Sequence, residues 1–118
     1  MKIGEFVTLM NTTKDTVRYY EELKLLNPKW QKNNKDYGEE DILHFQVVQE
    51  LKGFGLTLRE IQLIFNLKDE SKCGDKELIA QVYRNLTEQL DRLRQEEEEI
   101  YCRRKNLEHQ VEELKQLL

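Results

Sequence analysis

At 118 residues, with a formal net charge of -4 and 36% charged against 38% hydrophobic residues, the chain has room for one small core and one extended element, not for a second full-sized domain. One proline and five glycines amid so much charge fit a helix-rich chain with a thin core, so the expected class is all-α. The acidic sum does not exclude a polyanionic partner, because the placement of charge decides: the stretch 29–35 holds Lys29, Lys32 and Lys35 and no acid. The first 65 residues are close to neutral, and most of the acidic excess falls in the second half.

The chain opens without a signal-peptide pattern, and its apolar runs are far too short to span a bilayer, so a soluble, cytoplasmic protein with no membrane partner is expected. Two cysteines, Cys73 and Cys102, are too few for a disulfide framework and fit a reducing compartment.

In chain order, Ile3 to Leu9 reads as a short helix with Ile3, Phe6, Val7 and Met10 on one face. Asn11, which tolerates the left-handed backbone, makes a tight turn, and Thr13 caps a second helix from Lys14 to about Leu23. Two short helices joined this way form a helix-turn-helix, whose second helix presents its N-terminal residues to a major groove. Lys14, Asp15 and Arg18 share its exposed face, while Val17 and Tyr20 turn inward with Leu23. Pro28 ends any helical continuation. From Lys29 to Tyr37 the chain is polar and rich in lysine, a loop or short β-wing suited to phosphate contacts, with Trp30 and Tyr37 as anchors.

A third helix begins near Glu39, where Glu39, Glu40 and Asp41 suit the positive end of the helix dipole, and it carries Ile42, Phe45, Val48 and Leu51 on one face. Gly53-Phe54-Gly55 breaks it, and Thr57-Leu58-Arg59-Glu60 is a capping box for a fourth helix whose Leu58, Ile61, Ile64 and Phe65 complete the core. The expected division is a DNA-binding domain over 1–67, a polar linker over 68–75 and a helix over 76–118. In that last helix Ile79, Leu86, Leu93, Ile100, Leu107 and Leu114 recur every seven residues, the seam of a coiled coil. Such a stripe cannot be buried by one helix, so a homodimer is expected.

Ile3-Gly4-Glu5, the run from Thr13 through Arg18-Tyr19-Tyr20-Glu21, Leu25-Leu26 before Pro28, Tyr37, Asp41, Leu51-Lys52 and Gly55 to Ile61 stand in an order that resembles the MerR family of bacterial transcription regulators. The resemblance implies a winged helix-turn-helix followed by a long dimerisation helix. It further implies a homodimer with antiparallel dimer helices that binds a pseudo-palindromic promoter site in double-stranded DNA and distorts it so that RNA polymerase can engage. Carried over residue by residue, it places Arg18 and Tyr19 against the DNA backbone near the bases. The full expected DNA-binding set is Thr13, Lys14, Thr16, Arg18 and Tyr19 with Lys32, Lys35 and Tyr37 in the wing region. The chain departs from the family at Asn11-Thr12-Thr13, where Gly-Val-Ser is usual, at Lys24, where Gly is usual, and at a wing one residue shorter, in which Lys35 stands in for an arginine.

The chain carries no nucleophile-and-base set, Gly-rich phosphate loop or histidine pair with ligand spacing, so no enzyme activity, cofactor or metal is expected. Two alternatives stay open. One is a coiled-coil adaptor that binds protein instead of DNA; the other is a metal or thiol sensor using Cys73, with His109 approaching from a partner chain.

Overall fold

The computed structural model describes residues 1–70 and 75–118, in the order α1 (Ile3–Met10), α2 (Lys14–Glu22), β1 (Lys29–Gln31), β2 (Asn34–Asp36), α3 (Glu39–Gly53), α4 (Leu58–Glu70) and α5 (Asp75–Leu117). Local chemistry sets most of these boundaries. Asn11 takes φ 53, ψ 53 and closes α1 with its N–H on the Thr8 and Val7 carbonyls. Thr13 Oγ1 then accepts the Thr16 N–H at 3.2 Å to start α2. After α2, Lys24 adopts φ 62 and the Leu25 N–H returns to the Tyr20 carbonyl at 2.9 Å. That is a left-handed helix stop, which is why glycine is the cheaper residue at this position.

β1 and β2 form an antiparallel hairpin in the register Lys29↔Asp36, Trp30↔Lys35 and Gln31↔Asn34, so the polar stretch is a true β-wing. Its two-residue turn places Lys32 at φ 58, the positive φ that hairpin turns favour at their first central residue. α3 starts where the Asp41 carboxylate accepts the Gly38 N–H at 3.0 Å and the Asn27 N–H at 3.2 Å. This buried acid therefore caps its own helix and also pins the chain that leaves α2. The capping box of α4 forms as expected, with Glu60 N–H on Thr57 Oγ1 at 3.2 Å and Thr57 N–H on Glu60 Oε1 at 3.3 Å.

The core draws on all four helices of the first 65 residues and on the residue after the wing: Phe6 from α1, Val17 and Tyr20 from α2, Tyr37 after β2, Phe45, Val48 and Leu51 from α3, Ile61 and Ile64 from α4. Phe6 stacks on Tyr37 at 4.8 Å between ring centroids and meets Phe45 edge-on at 5.8 Å. Leu25 and Leu26, in the loop between α2 and β1, are buried in the same cluster.

α4 runs through Glu70, three residues into the stretch expected as linker, and α5 begins at Asp75. The first turns of α5 lie against the globular domain through Leu78, Val82 and Leu86. Beside them Asn85 and Gln89 are buried, with Asn85 Nδ2 donating to Glu60 Oε2 at 3.3 Å. Leu86, expected in the seam between chains, is thus partly covered by its own domain. A straight helix drifts about 20° per heptad from a strict seven-residue repeat, so the seam and the domain-facing stripe overlap there. Beyond Gln89 the helix projects into solvent, and its length accounts for the 76 Å long axis of the molecule.

Candidate nucleic-acid interface

The face that the turn at Asn11 and the cap at Thr13 create carries Thr13, Lys14, Asp15, Arg18 and Tyr19, all exposed. The inward side of the same helix is held by Val17 and Tyr20, which fixes the rotation of α2 about its axis. Thr16 is half-buried and its hydroxyl oxygen accepts from the Thr13 hydroxyl at 3.0 Å, so it serves the cap more directly than the exposed face. Lys14 and Arg18 make no ion pair with any described residue, and their charge is available to a ligand.

A cleft of about 300 Å³ separates α2 from the wing, lined among others by Lys2, Arg18, Glu21, Trp30, Lys35 and Tyr37. Glu21 organises its floor. One carboxylate oxygen accepts the Tyr37 hydroxyl at 2.5 Å and the other pairs with Lys35 Nζ at 3.1 Å. Burial first, and the adjacent Glu21 carboxylate second, push the Tyr37 phenol far above its ordinary range. The hydroxyl therefore stays a donor, and α2, the wing and the start of α3 are tied together at one point.

The wing residues expected at the interface separate into two groups. Lys32 is exposed at the turn. Lys35 is half-buried and engaged by Glu21, with its Nζ 5.5 Å from the Trp30 ring centroid. Tyr37 is 1% exposed and stacked on Phe6, so its side chain supports the interface from beneath and is not presented to a ligand. Trp30, expected as an anchor, is 69% exposed, because the short hairpin has no second sheet to cover that face. Glu21 was legible only as part of a motif. Its partners lie 14 and 16 residues away, and no local periodicity reports such a meeting.

On α5 the expected seam residues Ile79, Leu93, Ile100, Leu107 and Leu114 are all exposed, with Leu90 and Val111 beside them. Cys102 is an exposed free thiol, and His109 pairs with Glu113 at 3.0 Å. Cys73 lies outside the described residues. Among the described residues no group of three or more His, Cys, Asp or Glu is placed to hold a metal ion, and no described helix is long and apolar enough to cross a membrane.

Two short helices with a capped second member, a two-stranded wing beside it and a long solvent-exposed helix behind define a winged helix-turn-helix protein. The family model for MerR HTH family regulatory proteins matches residues 1–68, and the chain belongs to that family. It is 30% identical over 78 residues to the mercuric resistance operon regulatory protein of Bacillus cereus, covering 63% of this chain and 59% of that protein. It is 29% identical over 112 residues to the HTH-type transcriptional regulator HmrR of Rhizobium leguminosarum, covering 94% of this chain and 84% of the relative. The match to an HTH-type transcriptional regulator ZntR homolog of Haemophilus influenzae is 30% over 80 residues, again 59% of that relative's length. Among solved structures, a MerR-family transcriptional regulator from Bacillus cereus superposes with a TM-score of 0.64 at 27% identity over 85% of this chain and 71% of that one. A transcription regulator from Ralstonia metallidurans in complex with lead(II) superposes with a TM-score of 0.63 at 28% identity, over 85% of this chain and 82% of that one.

Proposed function

We propose that this chain is a homodimeric, cytoplasmic regulator of transcription that binds a pseudo-palindromic promoter site in double-stranded DNA. By distorting that site it would control engagement by RNA polymerase. The observation that carries the reading is the exposed Thr13–Tyr19 face of α2, with Lys14 and Arg18 one turn apart and unpaired among the described residues. Dimerisation through α5 fits the exposed Ile and Leu residues at seven-residue spacing, which a second copy of the same helix would cover. Two copies related by a two-fold axis would offer two α2 faces to two half-sites.

Arg18 carries more of the binding than any other single residue in this reading. A guanidinium holds a phosphate or a guanine edge through two parallel hydrogen bonds, which lysine does not reproduce. Loss of such a contact costs about 1–3 kcal/mol, so Arg18→Ala weakens binding roughly tenfold or more. The test uses a duplex selected by the parent chain from a random pool and compares affinities on that duplex and on unselected DNA. A greater loss on the selected duplex means base readout; an equal loss means a phosphate contact. If Arg18→Ala, folded by circular dichroism, binds the selected duplex as tightly as the parent, α2 is not the recognition helix. A parent chain that selects no duplex would instead favour the protein-binding adaptor.

A further inference from the structure

The wing has one large side chain that the described fold leaves largely uncovered. Trp30, the sole tryptophan of the chain, lies on β1 with 69% of its surface exposed. Single exposed apolar residues are ordinary on protein surfaces, but an exposed indole on a hairpin of three-residue strands adds little to that hairpin. Its surroundings distinguish it. Lys35 Nζ lies 5.5 Å from its ring centroid, Lys29 precedes it on the same strand, and Lys32 stands at the turn. The ring also lines the same cleft as Arg18 of α2.

We infer that Trp30 is a DNA-contacting residue of the wing, its indole lying against the sugar–phosphate edge of the minor groove next to the major groove that α2 enters. The inference rests on the DNA-binding reading above and adds a residue and a mode of contact to it. Three observations favour double-stranded DNA over a protein surface as the occupant. The stretch 29–35 contains three lysines and no acid, which suits a polyanion. Lys35, which the resemblance to the family sets in place of a wing arginine, is already engaged by Glu21. That leaves Lys29 and Lys32 as the exposed cations of the wing, with the indole beside them able to donate its N–H to a phosphate or pack on a deoxyribose. Trp30 and Arg18 also line one cleft, so the ring lies on the side of the molecule where α2 exposes that cation.

The sole tryptophan is its own reporter. Indole emission is followed as the full chain is titrated with a duplex of about 30 base pairs selected from a random pool, and affinities of Trp30→Ala, Trp30→Phe and Lys32→Ala are measured across a salt series. The expected result is a change in emission that saturates with binding and a loss of roughly fivefold or more for Trp30→Ala, the lower end for removal of an aromatic contact to nucleic acid. Trp30→Phe should recover most of that loss. The salt slope of Trp30→Ala should match the parent, because no charge is lost, whereas Lys32→Ala should lower the slope by about one. Binding by the parent without any change in emission, together with full affinity for Trp30→Ala, overturns the inference and leaves the DNA-binding reading standing. Emission already shifted to the blue without DNA, and unmoved by it, assigns the ring to a protein interface and overturns it too. Failure of the parent to bind any duplex defeats both readings.

Discussion

Replacing Glu21 with alanine removes both contacts of the strut that joins α2 to the wing, and the structure sets the cost. The Tyr37 hydroxyl is donated at 2.5 Å from a residue that is 1% exposed, so without Glu21 it has no described acceptor. Leaving such a group unsatisfied costs about 1–3 kcal/mol. The second contact, Lys35 Nζ at 3.1 Å, joins a side chain that is 38% exposed, and solvent screening reduces its worth to about 0–1 kcal/mol. Glu21→Ala is therefore expected to lower stability by about 1–4 kcal/mol. Urea denaturation followed by circular dichroism, at one fixed protein concentration because dimerisation would couple to unfolding, reads this directly. Tyr37→Phe alone should cost about 1 kcal/mol, and in the Glu21→Ala background it should cost nothing or restore stability, since the stranded hydroxyl is gone. Additive effects of the two substitutions, or a loss below about 0.5 kcal/mol for Glu21→Ala, would refute the strut.

Two further outcomes are expected. Leu93 and Ile100 are 52% and 58% exposed on the single chain, so Leu93→Asp with Ile100→Asp should give folded monomers in sedimentation velocity; Leu86→Asp should instead lower the unfolding midpoint of the globular domain, because Leu86 packs on its core. A double variant that still sediments as a dimer would show that the seam is not the interface. The Tyr37 phenol is raised by burial and by Glu21, so the folded state holds its proton more tightly than the unfolded chain does. Its contribution is complete below the ordinary tyrosine pKa of about 10 and is lost as pH climbs above it. Above about pH 10 the parent should lose more stability than Tyr37→Phe, and equal losses would remove Tyr37 from the alkaline response.

Boundaries were legible in the sequence wherever one or two neighbouring residues decide them. Asn11 takes the left-handed turn, Thr13 caps α2, Thr57 and Glu60 box the start of α4, and the heptad of Ile and Leu residues marks a single long helix. Most of the inward residues followed from the same periodicities, including Phe6, Val17, Tyr20, Phe45, Val48 and Ile61. The reason is range: capping and amphipathic spacing act over three to seven residues, and that information is written in the local order of side chains.

Only the tertiary structure decided which wing residues face outward. Trp30 and Tyr37 read alike as aromatic anchors, yet one is exposed and the other lies under α2, because Phe6 of α1 and Glu21 of α2 meet Tyr37 while nothing packs over Trp30. Lys35 reads as a free cation until Glu21, 14 residues earlier, is placed beside it. Leu86 belongs to the heptad by spacing and to the globular core by contact. Each of these assignments depends on two segments distant in the chain arriving at one place, and the energy of that meeting belongs to the pair rather than to either stretch of sequence.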